Sequence, residues 1–112
     1  MLKNLEGKKL TVEQMKDIAG GSWGESYFID LKNAYDRKMK GFENMDPMSG
    51  DTAVYCLQNW DSVVGNLKDM FARHGIEMTY KGKPTESNIY MYEGKKITSD
   101  EAWKIIDSHA NG

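Results

Sequence analysis

The sequence predicts an α+β fold: a small domain of helices packed on a two- or three-stranded antiparallel sheet, preceded by a short N-terminal helix. Three observations predict it. Apolar residues recur at helical spacing over 27–39 and again, over five turns, across 53–71. The period then drops to two at Ile76, Met78 and Tyr80, and a strand-like run comes next at Ile89–Tyr92. Finally, Thr98–Glu101 reads as a capping box that opens a last helix. A chain of 112 residues suits one domain.

The first helix is short. Thr11 fits its N-cap and Gln14 the reciprocal capping position, with Val12, Met15 and Ile18 on one face. Gly20 or Gly21 supplies a left-handed stop. So short a helix is marginal alone in water and needs a partner surface. After the joint "GGSWG", a second helix is expected from about Glu25 to Lys40. Its apolar stripe is Tyr27, Phe28, Leu31, Ala34, Tyr35 and Met39, with Asp30 on the water side. "GFENMDPMSGD" breaks the pattern.

The third helix starts at an Asp51 or Thr52 cap and ends at "RHG", with Gly75 as the stop. Ala53, Leu57, Trp60, Val64, Leu67 and Phe71 form its stripe. Gly65 lies inside it and suggests a close helix crossing. Strands are expected at 76–80 and 89–92, and "EGKK" turns the chain toward a third short strand at Ile97. In the last helix Ala102, Trp103, Ile105 and Ile106 are apolar.

Composition narrows the function classes. The net charge is −2, with no basic excess to neutralise phosphates, so nucleic acid is not an expected partner. Residues 1–21 hold four lysines and three acids, so 22–112 carry 11 Lys/Arg against 14 Asp/Glu. That balance disfavours a cationic membrane-active peptide. No run approaches the roughly 18 apolar residues of a membrane span, and stable membrane insertion is not expected. The charged start lacks the apolar stretch of a secretory signal peptide.

Candidate chemistry is sparse. Cys56 is the one cysteine, so no intrachain disulfide forms. It flanks the apolar stripe of the third helix and reads as a small buried residue. No motif spacing links Cys56, His74 and His109, and no catalytic residue, cofactor or metal site is expected. The carboxylates of "ENMDPMSGD" lack the ligand pattern of a calcium loop. Tyr90 and Tyr92 share one strand face, opposite Ile89 and Met91. Turned outward, the pair is a candidate partner-binding surface; turned inward, it is core.

The stretch "LTVEQMKDIAGG", residues 10–21, resembles a double-glycine leader of the bacteriocin and microcin type. Such leaders run Leu-Ser, two variable residues, Glu-Leu, two variable, Ile, one variable, Gly-Gly. Leu10 and Thr11 hold the first pair here, Gln14 and Met15 the second, then Ile18 and Gly20-Gly21. Gln14 departs from the usual acid, with Glu13 beside it. The resemblance implies recognition by the papain-like peptidase domain of an ABC exporter. Leu10, Met15 and Ile18 would anchor the helix in an apolar groove. Gly20 and Gly21 would thread a cleft too narrow for side chains, with cleavage after Gly21.

Two readings of function stand side by side. In the first, residues 1–21 are a leader and 22–112 a mature α+β domain. The precursor is cytoplasmic, and the product is secreted as a bacteriocin-like antagonist, signal or inhibitor that binds an unnamed protein target. In the second, the chain is a cytosolic interaction protein, such as an immunity protein or inhibitor, with the N-terminal helix part of the fold. Neither is an enzyme. Residues 22–112 resemble no known leader-borne cargo, being acidic and built like a folded domain.

Overall fold

The structure, a computed structural model, describes residues 25–83 and 85–111. The leader-like helix, including Leu10, Met15, Ile18, Gly20 and Gly21, lies outside the described residues. From Glu25 onward the chain forms a small α+β domain, as the periodicities predict.

The described chain opens as a π-helical segment, Glu25–Leu31, that runs straight into an α-helix, α1 (Lys32–Asp36). Ser26, Tyr27, Asp30 and Leu31 are all buried, so the water-side position expected for Asp30 is wrong. The helix also stops before Lys40. Lys38 adopts the left-handed conformation, φ 52°. The Lys38 amide bonds the Tyr35 carbonyl and the Met39 amide bonds that of Ala34, at 3.0 and 2.9 Å. Those two bonds make a Schellman motif with lysine where glycine is usual. The loop beyond it returns to the core through Phe42, while Pro47 accepts a 2.6 Å hydrogen bond from the Tyr27 hydroxyl.

The long helix α2 (Gly50–Arg73) begins after Ser49, earlier than the expected Asp51 or Thr52 cap. Asn59 leaves helical geometry at φ −135°, ψ 34°, and kinks it. Its buried row runs Ala53, Cys56, Val63, Val64, Leu67, Met70 and Phe71. Leu57, expected in that row, is 39% exposed beside the kink, and Cys56 one position earlier points inward instead. Among the described residues a Cβ added at Gly65 meets nothing within 4 Å, so no described element crosses closely there. The helix ends as expected: the Gly75 amide bonds the Ala72 carbonyl at 3.0 Å, and Gly75 takes φ 77°.

Three strands come next, β1 (Ile76–Thr79), β2 (Ile89–Tyr92) and β3 (Lys95–Ile97), antiparallel and in sequence order. Glu93 and Gly94 join β2 to β3 as a two-residue turn with positive φ at both positions, 51° and 78°. That is the primed turn whose twist matches a hairpin. The last helix, α3 (Ser99–Asn111), starts on the expected capping box. The Glu101 amide donates to Thr98 Oγ1 at 3.1 Å, and the Thr98 amide donates to Glu101 Oε1 at 2.9 Å.

Helix α2 lies along β1, and α3 rests against β2. Their apolar residues, with Tyr27, Leu31 and Phe42, make one buried cluster. Among the described residues no helix is long and apolar enough to cross a membrane.

Candidate functional site

Register decides where the two sequence-predicted tyrosines go. Met78 faces Tyr90 and Ile76 faces Tyr92 across the β1–β2 ladder. Directly paired residues share a face. Ile76 and Met78 are the buried pair of β1, so both tyrosines lie on the core face. Tyr90 is 1% exposed and Tyr92 half-buried, which removes the outward tyrosine pair as a binding surface. Tyr92 instead packs over Gly75, whose missing Cβ would lie 3.5 Å from its ring.

Tyr90 leads to a polar centre that the sequence pattern hides. Its hydroxyl donates to Asp30 Oδ2 at 2.5 Å. Ser99 Oγ and Trp103 Nε1 both donate to Asp30 Oδ1 at 3.1 Å. Asp30 is fully buried, so each of these donors replaces water it has lost. Burial pushes its carboxyl up from 3.8 to about 6; the three hydrogen bonds oppose that shift, and nearby Glu25 adds to it. Burial also raises the Tyr90 hydroxyl, with the Asp30 charge adding to the effect.

A second tier fixes the strand end above Asp30. Glu25 Oε1 accepts the Asn88 amide at 3.0 Å. Asn88 Nδ2 donates to Ser26 Oγ at 2.7 Å, and Asn88 Oδ1 accepts the Lys81 amide at 3.0 Å. On the other flank Arg37 holds Asp107 with two bonds, Nε to Oδ1 at 2.6 Å and Nη2 to Oδ2 at 2.8 Å. Its guanidinium lies 5.1 Å from the centre of the Trp103 ring. Arg37 holds the Asp107 carboxyl below its usual range.

Two clefts open on this side. One, of about 290 Å³, is lined by Glu25, Asn88, Tyr90 and Lys96 among others. The other, of about 430 Å³, is lined by Asn33, Arg37, Trp103 and Lys104 among others. They share Ile29, Ser99 and Asp100, and Ile29 is 41% exposed between them. Ile29 thus lies exposed between the two clefts, beside the Asp30 network.

The remaining candidates separate. Cys56 is fully buried, and burial raises its thiol to about 12, which leaves no thiolate at neutral pH. His74 and His109, which nothing in the sequence links, meet: their Nδ1 atoms are 3.0 Å apart, with ring planes 17° from parallel. Burial, then His109, then Arg73 lower the pKa of His74. Among the described residues no cluster of three or more His, Cys, Asp or Glu is placed to hold a metal ion. No protein-family model, curated protein or solved structure matches this chain.

Proposed function

We propose that this chain is the precursor of a small exported bacterial protein. The domain over 22–112 acts by binding another protein, without catalysis, after cleavage following Gly21. The observation that carries this reading is the spacing of Leu10, Met15 and Ile18 to Gly20-Gly21. On that reading an exporter's peptidase takes the apolar face of the leader helix into a groove. The peptide bond after Gly21 is then hydrolysed because glycines alone fit the approach.

Support comes from the chain downstream of the glycines. Tyr27, at the start of the described chain, and Ile106, near its end, share one buried cluster. A buried core of this kind suits a folded cargo. The exposed Ile29 between its clefts suits contact with a protein target.

Intact mass measured on medium and cells tests the proposal. The expected result is a secreted species that begins at Ser22, abolished by Gly21→Leu and strongly reduced by Met15→Asp. Full-length protein confined to the cells would overturn it and favour a cytosolic interaction protein.

A further inference from the structure

His74 caps the C-terminal end of α2, and His109 lies in the last turn of α3. They are the only histidines in the chain, 35 positions apart, and the fold brings them ring to ring. Without a metal, the 3.0 Å contact is an N–H···N hydrogen bond in which one ring donates and the other accepts. His109 is exposed and His74 half-buried, so solvent ions reach the pair.

The same spacing has a second meaning. Bonds of about 2.0–2.1 Å from two imidazoles to one metal ion, meeting at about 90–110°, put the nitrogens about 2.9–3.4 Å apart. The observed 3.0 Å falls within that range. Imidazole nitrogen suits Cu2+, Ni2+ and Zn2+, and Cu2+ binds most tightly of the three. We propose that His74 and His109 form an open, two-imidazole site for a divalent transition-metal ion, Cu2+ before Ni2+ or Zn2+. The ion takes the place of the shared hydrogen, after each ring turns to aim its lone pair. Water or a partner's donor completes the coordination. The neighbouring Arg73 opposes added positive charge, which keeps the affinity moderate. Bound metal clasps the end of α3 to the α2–β1 corner.

The test uses the full-length, untagged protein, stripped of metal and titrated with Ni2+ by calorimetry. One ion per chain is expected. His74→Gln and His109→Gln should each weaken binding by about 10-fold or more, and the double variant should be little worse than either, since one imidazole forms no chelate. Ni2+ should raise the thermal midpoint of the wild type and not of the single variants, each compared with its own metal-free midpoint. A measurement that needs no variant is the electron paramagnetic resonance spectrum of the Cu2+ complex. Coupling to two imidazole nitrogens is expected. Equal Ni2+ affinity in wild type and His109→Gln, no binding up to about 1 mM, or a Cu2+ spectrum without those nitrogens would each overturn the site.

Discussion

Along the Leu67–Phe71 turn of α2 the sheet meets apolar side chains. Leu67, Met70 and Phe71 join Ile76 and Met78 of β1 in the core. Along α3 and the π-helical segment it meets a carboxylate, Asp30, with its three donors. Phe71 ties the two regions together. Its ring packs edge-on against Tyr90 and Trp103, with centroids 5.4 and 5.3 Å away. The polar tips of those same two rings reach Asp30. The apolar side is non-directional and tolerates modest changes of shape. The polar side is directional: each buried donor needs its acceptor, and the carboxylate carries a charge that burial penalises. One side therefore supplies bulk stability, and the other supplies geometry and a dependence on pH.

The comparison can be broken at its hinge. Phe71→Ala should cost about 3–5 kcal/mol, because it empties a fully buried site and leaves the Tyr90 and Trp103 rings without support. Urea denaturation measures it, and a loss below about 1 kcal/mol would mean the two regions do not share this ring.

The pH dependence sharpens the contrast. Asp30 titrates near 6 when folded and near 3.8 in its ordinary state, so between those values the folded protein binds more protons than the unfolded chain. Its contribution is full below the lower value and is lost as pH rises through the higher one. Measured against Asp30→Asn, which does not titrate, the wild type should gain about 2–3 kcal/mol between pH 7 and pH 4. A difference that stays flat or falls on acidification would refute the buried-charge account. No such pH term is expected from substitutions at Leu67 or Met70 of α2.

The smallest effect has the opposite sign. Gly65 is helical and meets no described neighbour, so Gly65→Ala should raise stability by about 0.5–1 kcal/mol. A thermal melt reads it. A loss would reveal a contact on that face of α2.

Legibility in the sequence tracks the range of the interactions. The Thr98–Glu101 box closes within one turn, and Gly75 ends α2 through its own backbone freedom, so both are readable locally. The alternation of Ile76 and Met78 shows which face of β1 is buried. The end of α1 escaped because Lys38, not glycine, holds the left-handed position. Asp30 escaped because an acid on a helix is ordinarily solvated, and its donors come from β2 and α3, 60 or more residues away. Tyr90 and Tyr92 could be assigned a face only through the β1–β2 register. The histidine pair needed two helix ends brought together.

The sequence by itself determined the element types and their order, because propensity, period and capping act over a few residues. It also carries the whole case for the proposed leader at 10–21, which is a short local pattern. Only the tertiary structure decided which polar groups lie inside. Burial of Asp30 depends on three donors arriving from distant segments at hydrogen-bond distance, and no local rule encodes that arrival.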